Sequence, residues 1–210
     1  GVQGLSDVFQ MMGMAYDSPE AHEMDRDIFE AIYYGSVKKS IQLAQRDGPY
    51  KSFQGSPASK GVFQFNLWGV EPSSRFNWDM MRTKMMKHGL RNSLLTAPMP
   101  TASSAQILGN TESFEPRTSN LYVRRVLSGE FVIINKYLQM TCQKLGMWNP
   151  ALINKIIEHK GSVQGTDLPD EVKQCFKTTW ELSQKSIIDH AAARGAYIDQ
   201  SQSLNLYMAA

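Results

Sequence analysis

The chain has 210 residues, of which 42% are hydrophobic and 20% are charged, the balance of an ordinary soluble globular protein. The net charge of +2 is too small, and the basic residues are too scattered, to predict binding to nucleic acid or to an acidic membrane surface. No apolar run approaches the roughly 20 residues that span a bilayer, and no signal-peptide pattern opens the chain, so we expect no membrane partner and a cytoplasmic protein.

The cysteines and histidines predict neither a disulfide framework nor a metal site. Cys142 and Cys175 form no CxxC or Cys/His ligand spacing, and so sparse a pair is typical of reduced, structural thiols. The histidines are equally dispersed, and we expect each at the surface or at a helix end: His22, His88, His159 and His190.

The first long helix has clear end signals. Asp17-Ser18-Pro19-Glu20 places a capping side chain, a first-turn proline and an acid where a helix start favours them, and Gly48-Pro49 ends the helix. Helical spacing predicts two inner apolar rows. One row is Met24, Ile28 and Ile32, and the other is Tyr34, Val37, Ile41 and Ala44.

The middle of the chain alternates loops with short elements. Residues 50–75 are rich in Gly, Ser and Pro, and Val62–Phe65 is predicted to be a short strand or a buried loop. A helix is predicted to open at Asn77-Trp78-Asp79 and to end at Gly89. The apolar run Ser93–Pro98, ended by proline, is predicted to be a buried strand.

The second half is again mainly helical. After a brief helix, Leu121–Val123 and Phe131–Ile134 are predicted to be strands or extended segments. Helices are predicted near Asn135–Leu145 and Pro150–His159. A long helix is expected from Pro169 to about Ala193, followed by a strand-like segment at Leu204–Met208. Its inner row is Val172, Phe176, Thr179, Ser183, Ile187 and Ala191. Strands separated by helices predict an α/β arrangement with parallel neighbours.

The segment from Ser93 to Leu108 carries the best functional signal. A predicted strand leads through two prolines to hydroxyl side chains at the start of a helix, where backbone N–H groups lack intrahelical partners and the helix dipole favours an anion. The loop consists of Thr101, Ala102, Ser103, Ser104 and Ala105. Taken by themselves, Ser and Thr at a helix start are more often simple caps, and no Gly-rich loop or phosphate-binding lysine accompanies them.

Sequence motifs along nearly the whole chain resemble one family. Residues 98–110, Pro-Met-Pro-Thr-Ala-Ser-Ser-Ala-Gln-Ile-Leu-Gly-Asn, are similar to the substrate-phosphate loop of class I ribonucleotide reductase large subunits of the eukaryotic type. Further similar segments follow in the family's order: residues 1–5, Glu30–Gly35, Gly55–Pro57, Ser59–Gly61, Gly89–Leu95, Arg124–Phe131 and Arg194–Asn205. A likeness of this length is far more specific than any short motif.

The resemblance implies a fold, an activity and a role for the loop. It implies that residues 1–210 form the later, helix-rich portion of a ten-stranded α/β barrel, without an internal domain boundary. The implied enzyme reduces ribonucleoside diphosphates to deoxyribonucleotides by a radical mechanism, for DNA precursor synthesis. In the family, the loop matched by Thr101, Ala102, Ser103, Ser104 and Ala105 holds the substrate diphosphate with hydroxyls and backbone N–H groups.

The resemblance also implies cofactors and partners, none of them held by this segment. They are a diiron-tyrosyl radical on a small subunit, ATP and dNTP effectors, thioredoxin or glutaredoxin as reductant, and a homodimer or higher oligomer of large subunits. The family's Asn-x-Cys-x-Glu radical motif and its redox cysteines are absent from these 210 residues. We therefore predict no catalytic residue and no metal site here, and an isolated chain that is catalytically silent.

Tyr33-Tyr34 does not match the family's radical-relay tyrosines, which lie in a different sequence context. The pair falls in the middle of the first long helix, so we expect one ring to pack and the other to lie at the surface.

Two other interpretations remain open from the residues alone. Two long amphipathic helices and twelve methionines also fit a helical scaffold module without ligand chemistry. A small phosphoesterase or kinase-like domain would use the same turn, but it lacks a phosphate-binding lysine motif and an acidic pair for Mg²⁺.

Overall fold

The computed structural model describes residues 2–208, which are predominantly helical. The helices are α1 (Leu5–Met11), α2 (Pro19–Asp47), α3 (Gln64–Leu67), α4 (Trp78–His88), α5 (Ala102–Leu108), α6 (Lys136–Lys144), α7 (Pro150–Glu158), α8 (Asp170–Cys175) and α9 (Gln184–Gly195), with a 3₁₀ turn at Ala58–Lys60. The strands are β1 (Leu121–Val126) and β2 (Gly129–Ile134). Among these residues, no helix is long and apolar enough to span a bilayer.

Helix α2 begins and ends where its sequence signals predict. The Ser18 Oγ accepts the Ala21 N–H at 3.1 Å, and Gly48 follows the last turn with φ +80°. The inner face is only partly the predicted one, because Val37, Ile41 and Ala44 are buried whereas Ile32 is 36% exposed. Its inner face instead includes two acids, Asp25 and Glu30, which no apolar pattern could place there.

The sheet formed by the described residues is an antiparallel hairpin. β1 pairs with β2 from Leu121 opposite Ile134 to Val126 opposite Gly129, and only Leu127 and Ser128 connect them. A two-residue connection can join only antiparallel strands, since a parallel pair needs a crossover of a dozen or more residues. Both strand positions are confirmed, and the predicted parallel pairing is wrong.

The strands predicted at Ser93–Pro98 and Leu204–Met208 are also wrong. For Val62–Phe65, predicted to be a short strand or a buried loop, the strand alternative is wrong, while Phe63 and Phe65 are buried. Ser93–Pro98 makes only isolated hydrogen bonds, such as Gln200 N–H to Thr96 O at 3.2 Å, and Leu94 is 53% exposed. The Val62–Phe65 segment turns into α3, because the Asn66 Oδ1 accepts the Phe63 N–H at 3.0 Å. Leu204–Met208 belongs to no strand. A short apolar run does not specify a strand unless a neighbour supplies a ladder.

The predicted long helix from Pro169 to about Ala193 is two helices, α8 and α9, separated by residues 176–183. Tertiary hydrogen bonds replace helical ones in this break. The Asn120 Nδ2 donates to the Phe176 carbonyl at 2.8 Å, and the Thr179 N–H donates to the Arg117 carbonyl at 2.8 Å. Of the predicted inner row, Phe176, Thr179, Ile187 and Ala191 are buried, whereas Val172 is partly buried and Ser183 is exposed. The helices predicted at Asn77, Asn135 and Pro150 are confirmed within about two residues.

The fold consists of two compact units. The first unit comprises Gly1–His22, Pro100–Ile188 and Leu204–Ala210, and the second comprises Glu23–Met99 and Asp189–Ser203. Residues 1, 209 and 210 lie outside the described residues, so the predicted segments touching them are covered only in part. That residues 1–210 form one segment without an internal domain boundary stays a prediction.

Each unit has its own core. In the first unit, a cluster of buried side chains from α6, α7, α8 and their connections consists of Leu138, Cys142, Leu152, Ile156, Val163, Leu168, Cys175 and Phe176. In the second unit, aromatic rings pack around Trp78, with Phe63 at 5.1 Å, Phe65 at 4.8 Å and Tyr33 at 5.9 Å between ring centroids.

Candidate functional site

The predicted phosphate loop forms the turn into α5 in the first unit. Thr101 precedes the helix with φ +56° and ψ +19°, a left-handed conformation that is uncommon for a β-branched residue. The Ala105 N–H donates to the Thr101 carbonyl at 2.8 Å, which leaves the N–H groups of residues 102–104 without intrahelical acceptors. Ala102, Ser103 and Ser104 are exposed, whereas Ala105 is fully buried.

The five predicted site residues therefore divide by role. Ser103 and Ser104 present hydroxyls to solvent beside first-turn N–H groups, the arrangement that an anion needs. The Thr101 Oγ1 accepts the Ser113 N–H at 2.9 Å, so this oxygen supports the loop, while its own proton stays available to donate. Ala105 packs and anchors the first turn through its N–H.

The end of α5 is closed by a left-handed glycine. Gly109 has φ +69°, and the Asn110 N–H donates back to the Ala105 carbonyl at 2.9 Å. The Arg124 guanidinium contacts the Gln106 amide oxygen on the exposed side of α5. Together these bonds fix the length and direction of a helix of only seven residues.

A buried aspartate, Asp7, supports the loop from behind. Its Oδ2 accepts the Thr111 N–H at 2.7 Å, and its Oδ1 pairs with the Arg117 guanidinium at 2.5 Å. Backbone bonds run alongside, from Gly4 N–H to Thr111 O at 2.9 Å and from Leu5 N–H to Ser113 O at 3.3 Å. The sequence did not predict Asp7 as a site residue, because its partners lie over 100 residues away and nothing local distinguishes it from a first-turn acid of α1.

A polar cleft of about 150 Å³ lies beside α5 in the same unit. It is lined by Gln106, Asn110, Thr111, Glu112, Glu115, Pro116, Arg117, Thr118, Ser119, Tyr122 and Tyr207. The buried Glu115 carboxylate accepts from Asn205 N–H and from the Tyr207 hydroxyl, both at 3.2 Å. Burial and this nearby carboxylate raise the pKa of Tyr207, which keeps its phenol protonated. Neither member of this pair was predicted from the sequence.

The two cysteines are not activated. Cys142 and Cys175 are free and buried in the core of the first unit, and burial raises the pKa of each thiol to about 11. A reactive cysteine needs a lowered pKa and some exposure. The structural interpretation of both residues agrees with this environment.

Tyr33 and Tyr34 occupy different environments in the second unit. Tyr33 is buried, its oxygen accepts the Gln64 N–H at 3.1 Å, and burial raises its pKa. Tyr34 is half-buried and stacks on Phe76, with ring centroids 4.5 Å apart. The expected packed ring is confirmed for Tyr33, whereas Tyr34 does not lie at the surface, because it also contacts Trp78 with ring centroids 5.2 Å apart.

The second unit also contains a fully buried ionic cluster. The Asp25 Oδ2 accepts from His190 Nδ1 at 2.8 Å and from Arg194 Nη1 at 2.9 Å, and all three side chains are inaccessible to solvent. The prediction that each histidine lies at the surface or at a helix end is wrong for His190. A histidine is buried where a carboxylate satisfies its ring, and Asp25 lies 165 residues away in sequence.

Comparisons with known proteins find relatives that match nearly the whole chain. The model of the family described as "Ribonucleotide reductase, barrel domain" matches residues 1–210. The ribonucleoside-diphosphate reductase large subunit of Arabidopsis thaliana is 54% identical over 209 residues, which cover 99% of this chain and 26% of that protein. That of Caenorhabditis elegans is 52% identical over 210 residues, which cover 100% of this chain and 27% of that protein. This chain thus spans about a quarter of the length of these relatives.

A solved structure agrees with the sequence comparisons. The Actinobacillus ureae class Id ribonucleotide reductase alpha subunit superposes with a TM-score of 0.73 at 32% sequence identity, covering 98% of this chain and 32% of that one. Both the predicted resemblance and the predicted fold class, a helix-rich part of the reductase barrel, are confirmed. The chain belongs to the ribonucleotide reductase barrel-domain family.

Proposed function

We propose that this chain supplies the substrate-diphosphate-binding loop of a ribonucleoside-diphosphate reductase large subunit. The observation that carries the proposal is the exposed turn into α5, where the hydroxyls of Ser103 and Ser104 lie beside the free first-turn N–H groups. Thr101, Ala102, Ser103, Ser104 and Ala105 are the proposed site residues.

The chemistry of the loop suits a diphosphate. Backbone N–H groups at a helix start bind phosphate oxygens, and the helix dipole adds a partial positive charge at the same point. Hydroxyl groups donate further hydrogen bonds to the anion, and the small side chain of Ala102 leaves the backbone accessible. Such a loop orients a substrate but supplies neither a radical nor a base.

The activity proposed for the whole enzyme follows from family membership. It is the radical reduction of ribonucleoside diphosphates to 2'-deoxyribonucleoside diphosphates in the cytoplasm. The proposed partners and cofactors are a radical-bearing small subunit with a diiron-tyrosyl centre, further large subunits, ATP and dNTP effectors, and thioredoxin or glutaredoxin. We propose no catalytic residue and no metal ligand within these 210 residues.

The loop is tested by titrating the chain with ADP or CDP in a calorimeter. Thr101→Ala and Ser103→Ala are each expected to weaken binding about tenfold or more, since a hydrogen bond to a charged group contributes about 1.5–3 kcal/mol. Matched controls are Thr83→Ala, at an exposed position, and Ser36→Ala, at a half-buried one. Both are helix residues whose hydroxyls donate to the carbonyls of Asp79 and Ile32.

Two outcomes contradict the proposal. If the folded wild-type chain binds neither nucleotide, the scaffold interpretation is favoured for this chain. If the loop and control variants bind as the wild type does, the nucleotide binds elsewhere. Deoxynucleotide formation by the purified chain would overturn the expectation that it is catalytically silent.

A further inference from the structure

Thr101 of the phosphate loop and Ser113 behind the loop both have left-handed backbone conformations. Thr101 has φ +56° and Ser113 has φ +45°, and neither is a glycine. Non-glycine residues rarely adopt the left-handed region, and they persist there only where the surrounding structure holds them. The Ser113 N–H donates to the Thr101 Oγ1 at 2.9 Å, so a single hydrogen bond joins the two strained positions.

Residues 111–113 are in turn held by the start of the chain. The Asp7 carboxylate accepts the Thr111 N–H, and the carbonyls of Thr111 and Ser113 accept the N–H groups of Gly4 and Leu5. Gly4 itself has φ +82°, a left-handed backbone conformation that glycine adopts without strain. Hydrogen bonds therefore link Asp7 to Thr111 and Ser113 to Thr101, with residues 111–113 joining the two bonds along the backbone.

The charge of Asp7 is neutralised within the same cluster. Arg117 pairs with the Asp7 Oδ1, and the two side chains are 14% and 5% exposed. A buried ion pair contributes little net stability, but removing one partner is costly because it leaves the other charge uncompensated.

We propose that Asp7 is a positioning residue for the phosphate loop: through Thr111 and Ser113 it holds Thr101 in the left-handed conformation that sets the start of α5. The inference rests on the proposed function, because it makes the nucleotide affinity of the loop depend on a residue that touches no substrate. The N–H groups of residues 102–104 keep their common direction only while Thr101 keeps this conformation.

The experiment compares Asp7→Ala and Asp7→Asn with the wild-type full chain. ADP affinity is measured by calorimetry, and amide hydrogen exchange is followed at Ala105 and Ser113 without nucleotide. Asp7→Ala is expected to weaken ADP binding about tenfold and to speed exchange at both amides about tenfold. Asp7→Asn keeps an oxygen that can accept the Thr111 N–H, so it is expected to recover part of both losses.

The control is Asp17→Asn, which breaks the ion pair of Asp17 with Lys177 at 2.9 Å in the same unit. It is expected to change thermal stability without changing ADP affinity or exchange at Ala105. The inference is overturned if Asp7→Ala binds ADP as the wild type does, or if Asp17→Asn weakens binding equally.

Amide hydrogen exchange distinguishes two results: that Asp7 does not position the loop, and that the loop does not bind ADP. If the wild type does not bind ADP, the proposed function fails, and faster exchange at Ala105 in Asp7→Ala still supports the positioning role. Unchanged exchange overturns that role whether or not ADP binds. If Asp7→Ala does not fold, Asp7→Asn decides, and wild-type affinity and exchange in that variant overturn the inference.

Discussion

Cys142 and Cys175 lie in a helical core where burial raises the pKa of each thiol to about 11. At pH 8 only about one such thiol in a thousand is ionised, so we expect alkylation by iodoacetamide to be roughly a hundredfold slower in the folded chain than in urea. Mass spectrometry of quenched samples measures both rates. Rapid labelling of either residue in the folded chain would show an accessible thiolate and contradict the structural role.

The raised thiol pKa also gives a pH dependence. Because the folded pKa lies above the unfolded value of about 9, the unfolded chain loses its thiol protons first as pH rises. The contribution of these thiols to stability is therefore complete below pH 9 and is lost as pH rises towards 11. Replacing both with alanine should flatten this part of the urea-midpoint profile.

At the residue scale, the hydroxyls of the candidate loop could be located from the sequence, and the residues that support the loop could not. Ser103 and Ser104 can be recognised from the neighbouring sequence, because hydroxyl side chains at a helix start bond groups within a few residues. Asp7, Asp25 and His190 could not be placed, since each is buried against partners more than 100 residues away in sequence. A charged residue in a helix is normally expected on the face exposed to solvent. It is buried only where a distant residue pairs with it, and the sequence does not show that partner.

At the element scale, helix ends were predictable wherever a capping side chain acts locally. The caps of α4, α6 and α7 are Asn77, Asn135 and Asn149, whose side chains each accept a backbone N–H two or three residues later. The break between α8 and α9 was not predictable, because long-range bonds to residues 117 and 120 create it. The parallel pairing was predicted wrongly because the general alternation of strands and helices says nothing about the short connection between β1 and β2.

Asn120 gives a direct test of that break. Its buried amide donates to the carbonyls of Gly161 and Phe176 and accepts from the Asn135 amide at 2.8 Å. Asn120→Ala removes all three side-chain bonds and takes the donor from the Phe176 carbonyl, although the Gly161 carbonyl keeps the Asn120 N–H and the Asn135 amide keeps Gln10. We therefore expect the free energy of unfolding to fall by about 2–4 kcal/mol in urea titrations. Gln164→Ala, which removes one exposed bond to the Lys173 carbonyl, should cost about 0.5 kcal/mol or less. Equal losses would mean that the break does not depend on Asn120.

At the scale of the whole molecule, the chain spans about a quarter of the length of its large-subunit relatives. Family membership was predictable from sequence because matching segments occur along nearly all of it. Composition indicated only a soluble globular protein, and nothing in it specified a barrel. Because the chain covers only about a quarter of those relatives, the loop is best tested by nucleotide binding.

The hairpin leads to a prediction about the isolated chain in solution. Leu127 is fully exposed, Val132 is 63% exposed, and β1 and β2 each have an edge that no other described strand pairs. Open strand edges beside exposed apolar side chains promote association. We therefore expect the isolated chain to self-associate at micromolar concentrations, with sedimentation coefficients that rise with concentration. Leu127→Ser combined with Val132→Thr should reduce this dependence, whereas Ile157→Ser, at an exposed apolar residue of α7, should not. A wild-type chain that stays monomeric over about a hundredfold range of concentration would contradict the prediction.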